Sequence, residues 1–250
     1  MRAQASSQHA FEPIGLIHSC YQQKFAVPRQ SGAVPEATAT IELHGDAAVP
    51  ESVRRLETFS HIWVLFVFDQ HLDAGWRPTV RPPRLGGNRR VGVFASRAPH
   101  RPNPIGMSAV RLQKIECDSS GVCIHVLGGD FLDGTPVLDI KPYLPYSDAI
   151  PDADSGFAPG LTPTHTVTFT EQAEQQLHAA HGSDTDRIRR IIEQTLAYNP
   201  RPAIQRVPTQ NKPFATRMCG LDIHWFATGN NAIRVCTVKQ LRTPHCREKQ

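Results

Sequence analysis

Hydrophobic residues in the first part of the chain occur in short runs of Val, Ile, Leu and Phe. Val122, Ile124 and Val126 alternate with other side chains, the pattern of a strand that buries one face. The run Ile62–Phe68 is apolar throughout and predicts a central strand. The predicted strands are Ile14–His18, Thr38–Leu43, His61–Phe68, Val91–Ala95, Met107–Cys117, Val122–Leu127 and Val137–Lys141.

The order of these elements predicts a mainly β N-terminal region. Only Pro50–Glu57 has a helical pattern among them, so strands and helices do not alternate. A doubly wound parallel sheet requires that alternation, and its absence favours a closed or strongly curved antiparallel sheet. The sequence has no G-x-G-x-x-G, P-loop or G-x-S-x-G motif, which disfavours a Rossmann nucleotide site, an ATPase and an α/β-hydrolase.

A stretch rich in proline and aspartate divides the chain. Pro145–Pro163 contains four prolines, three aspartates and no basic residue, a composition that opposes helix and central strand. We therefore predict a domain boundary here, with an N-terminal domain of residues 1–157 and a C-terminal domain of residues 158–250.

The pattern after this boundary predicts a small α+β domain. Glu171–His181 and Asp184–Tyr198 have helical periodicity, and Ser183 and Asp186 have the spacing of a capping box. Two strands follow a basic, proline-rich stretch, Asn199–Arg217, which is either a solvated loop or an extension of an anion-binding surface. The predicted strands are Leu221–Thr228 and Ala232–Leu241, with a turn at Gly229–Asn231.

Positive charge is concentrated in one segment. The net charge is only +4 over 250 residues, but seven arginines lie between Arg77 and Arg101 without any lysine or acidic residue. A charge run of this kind is often a solvated loop. Arginine binds phosphate through a planar fork of donors and stacks on bases, so this composition favours contact with a nucleic acid. The arginines are Arg77, Arg81, Arg84, Arg89, Arg90, Arg97 and Arg101.

Cysteine and histidine do not form metal-binding patterns. The six cysteines include no C-x-x-C pair, and the histidines lack the spacing of metal ligands, so we predict reduced thiols and no metal. The first residues carry no apolar run of the kind found in signal peptides, and the longest apolar run is too short to span a membrane. We expect a cytoplasmic protein.

Three groups of polar residues are candidates for chemistry. Asn103–Pro104 lies in a stiff loop; a turn is the more frequent explanation, and an asparagine that holds an amine for methyl transfer is the alternative. Asp130–Thr135 is typical of a hairpin turn, and its carboxylates and amides are also suited to the hydroxyls or ammonium of a small cofactor. Asp139, Lys141 and Tyr143 alternate along one strand face, which is either the solvent side or part of a site.

Short motifs follow one another in a specific order along residues 11–157. They are FAVPRQ from Phe25, FSH from Phe59, WRP from Trp76, RPPRLGG from Arg81, VGVFA from Val91, RPNPIG from Arg101, DGTP from Asp133 and DIKPY from Asp139. Together they resemble the TsaA-like, or TrmO, family of tRNA methyltransferases. The C-terminal domain resembles that of the bacterial members more loosely.

The resemblance implies a fold, a reaction and a cofactor. The implied fold is a single-sheeted β-barrel, unlike the Rossmann methyltransferases, in a homodimer. The implied reaction is S-adenosylmethionine-dependent methylation of N6 of N6-threonylcarbamoyladenosine at position 37 of threonine tRNA. By the resemblance, the cofactor site contains Pro28, Arg29, Gln30, Asp69, Gln70, Arg97, Met107, Asp130, Leu132, Asp133, Gly134 and Thr135.

The nitrogen to be methylated lies between a purine and a carbamoyl group, so we expect it to need help in losing its proton. Asp139 or Tyr143 is the candidate base or relay. Lys141 or Arg97 is the candidate for stabilising negative charge on the carbamoyl oxygen, and Asn103 the candidate for positioning the nucleophile. In-line placement of the two reactants alone is the alternative mechanism.

The arginine segment acquires a role under this interpretation. Arg77, Arg81, Arg84, Arg89, Arg90 and Arg101 are the predicted contacts to anticodon-loop phosphates or to the threonyl carboxylate. Two alternatives remain at this point. One is an RNA-binding or regulatory module on the same scaffold without methyl transfer, and the other is a methyltransferase of a small adenine-containing metabolite.

Overall fold

The computed structural model describes residues 9–119, 121–158, 160–201, 213–228 and 231–241. The N-terminal part contains eight strands within these ranges, six of them in one closed barrel. The eight are β1 (Gly15–Ser19), β2 (Thr38–Leu43), β3 (His61–Val67), β4 (Thr79–Val80), β5 (Val91–Gly92), β6 (Ile105–Asp118), β7 (Gly121–Leu127) and β8 (Thr135–Pro142).

The barrel closes in the order β1-β2-β7-β6-β3-β8, and every neighbouring pair is antiparallel. Side chains at alternate positions fill its interior, among them Ile17, Ile41, Val64, Ile124 and Val137, each fully buried. The predicted single-sheeted barrel is therefore confirmed. Its sheet has no doubly wound parallel arrangement.

The apolar strand β3 does not bury both faces within this chain. Ile62, Val64 and Phe66 point into the barrel, whereas Trp63, Leu65 and Val67 face outward and are partly exposed. The prediction of a central strand is correct for its position between β6 and β8. Trp63, Leu65 and Val67 therefore form a row of apolar side chains on the outer surface of the barrel.

Three local predictions in the N-terminal part are wrong. Val91–Ala95 is not a barrel strand, because only its first two residues pair, with β4, and Val93–Ala95 forms a 3-10 turn. Pro50–Glu57 forms 3-10 turns, at Pro50–Val53 and Leu56–Thr58, in place of an α-helix. Pro145–Asp148 is a one-turn helix, α1, because proline is accepted at the first position of a helix, where its missing N–H is not needed.

The C-terminal part is a small α+β unit with two helices, as predicted, but its sheet has four strands where the sequence predicted two. Its sheet order is β10-β11-β12-β9, and β9 pairs with β12 in parallel. The sequence patterns missed β9 and β10, which are short and follow proline-rich stretches. The elements are β9 (Thr166–Phe169), α2 (Glu171–His181), α3 (Thr185–Ala197), β10 (Phe214–Met218), β11 (Leu221–Thr228) and β12 (Ala232–Gln240).

The two helices of the C-terminal part start in different ways. The Thr170 hydroxyl accepts a hydrogen bond from Ala173 N, a side-chain cap that fixes the start of α2. Ser183 lies in a 3-10 turn before α3, so the predicted capping box does not form. The predicted turn at Gly229–Asn231 lies mostly outside the described residues.

The second hydrophobic core is shared between the two parts of the chain. Residues of α2, α3 and the C-terminal sheet form most of it. Tyr21, Ala26, Val34 and Ala37, from the connection between β1 and β2, are buried in the same cluster. The C-terminal sheet and helices therefore pack directly on this connection. No helix within the described ranges combines the length and the apolar character that a membrane crossing requires.

Candidate functional site

Three long connections leave the barrel at the same rim. The ends of β1, β3 and β7 and the starts of β2, β6 and β8 are neighbours there, as the pairs Ser19 with Ala39, Thr38 with Leu127 and Val67 with Ile105 show. The antiparallel order thus gathers residues 20–37, 68–104 and 128–134 at one end of the barrel. All predicted cofactor residues except Met107 lie in these connections or directly after them.

Gln30, Arg97 and Asp130 come together across the three connections. Arg97 Nη1 donates a hydrogen bond of 2.6 Å to Gln30 Oε1. The Asp130 carboxylate accepts a 2.5 Å hydrogen bond from the hydroxyl of Ser108, a buried residue of β6. Burial raises the pKa of Asp130, although the Ser108 hydroxyl and the positive charge of Arg97 oppose the shift. The cluster combines an amide, a guanidinium and a partly buried carboxyl group.

The turn before β8 is a rigid part of this rim. Gly134 has φ +80°, a conformation that glycine adopts without strain. The Thr135 hydroxyl donates to Leu132 O at 2.7 Å. Phe131 is buried, and its ring packs edge-on against Phe66 of the barrel core at 5.3 Å between centroids. The backbone and carboxylates of this turn are therefore held at fixed positions.

A second group lies on the 3-10 turn Asp69–Ala74. Lys24 Nζ donates to Gln70 O at 3.5 Å, which links this turn to the first connection. The rings of His71 and His100 are 5.3 Å apart, in an edge-to-face arrangement. Burial and the positive charge of Lys24 lower the pKa of His71. The charge of the neighbouring Asp69 opposes this lowering of the His71 pKa.

Sequence reasoning missed Lys24, His71, His100 and Ser108 as residues of this rim. None has a motif spacing of its own, and each reaches the rim only through the barrel topology. The single clue in the sequence is that Lys24 and His100 directly flank two of the quoted motifs.

Pro28 and Arg29 line a cavity of about 220 Å³ between the first connection and the C-terminal part. Thr195 and Tyr198 of the α3 region close its other side, and Lys24 also lines it. The wall of this cavity is thus apolar with basic groups.

The catalytic candidates do not all meet this rim within one chain. Asn103 does, because it lies in the exposed loop directly before β6, where Phe68 N donates to Pro104 O at 2.8 Å. Asp139 and Lys141 face outward on β8 and form an ion pair of 2.9 Å. Tyr143 packs on Trp63 at 5.5 Å between ring centroids.

The distance of these residues from the turn follows from strand geometry. Tyr143 is eight residues beyond Thr135, which corresponds to roughly 26 Å along a strand, and Asp139 is at roughly half that distance. Met107 is also on the outer face, 51% exposed, in a row with Leu65 and Asp139. Met107, Asp139 and Lys141 therefore form a second group, on the side of the barrel.

Besides Arg97, which donates to Gln30, two arginines of the basic segment have contacts within the protein. Arg101 Nη1 donates to the backbone oxygens of Val93 and Ser96, at 3.2 and 2.7 Å, and its guanidinium lies over the ring of Phe94. Arg84 Nη1 donates to the backbone oxygen of Gly160 at 2.5 Å, which ties the segment to the start of the C-terminal part. The exposed members are Arg77, Arg81, Arg84, Arg89, Arg90 and Arg97.

The basic loop Asn199–Arg217 is described only at its ends. Arg201 is buried, with its guanidinium 5.5 Å from the centre of the Phe214 ring. Arg206 and Lys212 lie outside the described residues.

In the described part of the chain, no group of three or more His, Cys, Asp or Glu side chains has a metal-binding arrangement. Five of the cysteines are free thiols, and Cys246 lies outside the described residues.

Comparison with known proteins matches both parts of the chain. Residues 16–149 match the model of the tRNA-methyltransferase O N-terminal domain, and residues 162–241 match that of the TrmO C-terminal domain. The tRNA (adenine(37)-N6)-methyltransferase of Escherichia coli (strain K12) is 44% identical over 223 residues, 89% of this chain and 94% of the relative. A candidate S-adenosylmethionine-dependent methyltransferase of Pseudomonas aeruginosa is 47% identical over 92% of this chain and 97% of its own length.

Solved structures agree with this match. A crystal structure of TrmO from Pseudomonas aeruginosa aligns with a TM-score of 0.78 and 39% identity, and the alignment covers 93% of this chain and 99% of that one. The tRNA (adenine(37)-N6)-methyltransferase of Mus musculus aligns over 53% of this chain only, at 43% identity.

Proposed function

The chain belongs to the tRNA-methyltransferase O family, and from this premise we propose that it is an S-adenosylmethionine-dependent enzyme that methylates N6 of adenine 37 in tRNA. The observation that carries this proposal is the ordered match of both family domains, together with relatives of that activity that align over nearly their full length. The closed barrel supports it, since the family's solved structure shares the fold.

The groups at the rim fit the proposed cofactor. S-adenosylmethionine supplies a methyl group on a positively charged sulfur, next to an amino acid group, a ribose and an adenine. The carboxyl groups of Asp130 and Asp133 are suited to its positive charges and ribose hydroxyls. Arg97 and Gln30 offer donors for its carboxylate, and the apolar side chain of Leu132 offers a surface for its base. The other proposed contacts are Pro28, Arg29, Asp69, Gln70, Gly134 and Thr135 at the rim, and Met107 on the outer face of the barrel.

The finer proposal concerns the substrate base. We propose that it is N6-threonylcarbamoyladenosine in threonine tRNA, because its threonyl carboxylate suits the arginine-rich segment. Asn103 then orients the nucleophilic nitrogen at the rim. Asp139 or Tyr143 takes its proton, and Lys141 or Arg97 stabilises charge on the carbamoyl oxygen.

The test of the proposed function uses methyl-labelled S-adenosylmethionine and threonine tRNA, prepared with and without the threonylcarbamoyl group. We expect label on adenine 37 of the modified tRNA alone, identified by mass spectrometry of the nucleosides. Label on both tRNAs would contradict the finer substrate proposal. RNA binding without label would favour an RNA-binding or regulatory module without methyl transfer. Label only on a small adenine-containing metabolite, offered in a parallel reaction, would favour a methyltransferase of such metabolites.

Exposed arginines provide the proposed tRNA contacts. Arg89 and Arg90 are neighbours on an exposed loop and have no structural partner of the kind that holds Arg101. Replacing both by alanine removes two phosphate contacts, so we expect the slope of log Kd against log salt to fall by about 2. Equilibrium binding of threonine tRNA, measured at several salt concentrations between 50 and 200 mM, gives this slope. An unchanged slope would remove these residues from the RNA surface, and Arg54→Ala, on the opposite rim, is the matched control.

We also propose that the enzyme is a homodimer. The outer face of β3 and β6 exposes Met107 and Ile105, at 51% and 40%, beside the partly exposed Trp63, Leu65 and Val67. A row of this kind is typical of a surface that pairs with another chain. A dimer also offers a way to bring Asp139 of one chain to the rim of another. The mass in solution tests the proposal.

Because the proposed substrate is tRNA, we keep the expectation that the enzyme is cytoplasmic.

A further inference from the structure

One short segment connects the C-terminal domain to the turn Asp130–Thr135. This segment, Ser19–Tyr21, is the end of β1 and the start of the first connection. The Tyr21 side chain is 1% exposed and lies in the hydrophobic cluster formed mainly by the C-terminal domain. Its hydroxyl is 3.3 Å from Oγ1 of Thr195, a buried residue of α3. Tyr21 is thus anchored in the other domain.

Backbone contacts strengthen this anchor. Cys219 N donates to Cys20 O at 2.6 Å, and Tyr21 forms an isolated antiparallel bridge with Met218. Arg217 N donates to Oε1 of Gln23 at 3.1 Å. The hairpin of β10 and β11 therefore continues onto the segment as if it were a short further strand.

The same segment binds the cofactor turn from its other side. Ser19 N donates to Asp133 Oδ1 at 2.9 Å, and Asp133 N donates to Tyr21 O at 2.9 Å. The Ser19 hydroxyl donates to Phe131 O at 2.8 Å and accepts from Tyr21 N at 3.1 Å. Four hydrogen bonds join two residues of the segment to each other and to the turn.

We propose that the C-terminal domain positions the cofactor turn through Ser19 and Tyr21. Neither residue is a catalytic residue, and both act by holding Asp133. A turn that is already ordered binds a ligand more tightly, because the cost of ordering it is not deducted from the binding free energy. This inference rests on the proposed function only in assigning the turn to S-adenosylmethionine.

Ser19→Ala tests the half of this connection next to the turn. We expect the Kd of S-adenosylmethionine to rise about tenfold, because two hydrogen bonds of the Ser19 hydroxyl are lost. At saturating cofactor, the turnover number and the Kd of tRNA should stay within about twofold, because the catalytic groups are not touched. Ser52→Ala is the matched control, since the Ser52 hydroxyl also donates to backbone oxygens, Ala47 O and Val49 O, but on the opposite rim.

Thr195→Val tests the half that lies in the C-terminal domain. We expect a rise of about threefold in the Kd of the cofactor, and the same for Tyr21→Phe, which keeps the buried ring. The double variant should show no further rise, because both changes break the same contact. Thr228→Val removes an exposed hydroxyl contact, to Ala232 O, in the same domain and should leave the Kd unchanged.

Hydrogen exchange gives a readout that does not depend on activity. In Thr195→Val, we expect faster exchange of the Asp133 and Gly134 amides, which donate to Tyr21 O and Ile17 O, and unchanged exchange in α2. Unchanged exchange and an unchanged cofactor Kd in Ser19→Ala, Thr195→Val and Tyr21→Phe would overturn the inference. Equal rises for Ser19→Ala and Ser52→Ala would also overturn it, because they would indicate a general loss of stability. A wild-type enzyme that transfers no methyl group would refute the proposed function alone, since exchange still decides the inference.

Discussion

Asp139→Asn lowers the rate of a single turnover by about 100-fold or more if Asp139 is the base, since positioned proton transfer contributes factors of this size. The asparagine has nearly the same shape, so cofactor and tRNA binding should change little. Rapid quenching with saturating S-adenosylmethionine and modified threonine tRNA measures the rate. Asp152→Asn, an exposed residue of the Pro145–Pro163 stretch, is the control.

Asn103→Ala in the same experiment separates two mechanisms. If Asn103 holds the nitrogen in line with the methyl group, the rate falls by about 100-fold, the size of effect expected for a misplaced reactant. If both variants retain the wild-type rate and only their KM values rise, the assigned roles are wrong and placement by other groups suffices.

Gly106→Ala is the second large effect that we expect, and it acts on the fold and the site together. A methyl group on Gly106, in β6, would overlap the ring of Phe66, in β3. Overpacking of this kind costs about 1–3 kcal/mol. Because Phe66 also packs on Phe131 at the cofactor turn, we expect the Kd of S-adenosylmethionine to rise as well. Thermal unfolding and cofactor titration measure the two effects.

Two further variants make this prediction specific. Gly92→Ala is the matched control, because a methyl group there has open space and φ is −58°. It should leave stability within about 0.5 kcal/mol of wild type. Phe66→Leu combined with Gly106→Ala should recover part of the lost stability, since a smaller side chain leaves room for the methyl group. A stable Gly106→Ala protein with normal cofactor affinity would show that the Phe66 ring moves without cost.

Local pattern was sufficient where one element decides its own structure. The alternation of apolar residues located six barrel strands to within two residues at most of their boundaries. Glu171–His181 was predicted with its bounds from its unbroken periodicity, and in the structure Thr170 caps its start. The two-residue pairing at Val91 was not predictable in this way, because Val, Phe and Ala also suit a strand and only the neighbouring β4 determines the pairing.

The sequence by itself determined the family, through the order of motifs such as Arg101–Gly106, and the mainly β class, through the period of its apolar residues. Only the tertiary structure decided which of these residues meet. Closure of an antiparallel barrel brings Gln30, Arg97 and Asp130 to one rim and leaves Asp139 on its side. The contacts of Ser19 with Asp133 and of Tyr21 with Thr195 are also decided by the tertiary structure. They join residues more than a hundred positions apart, so no local pattern carries them, and they exist because strand pairing and burial fix the positions of distant backbone groups.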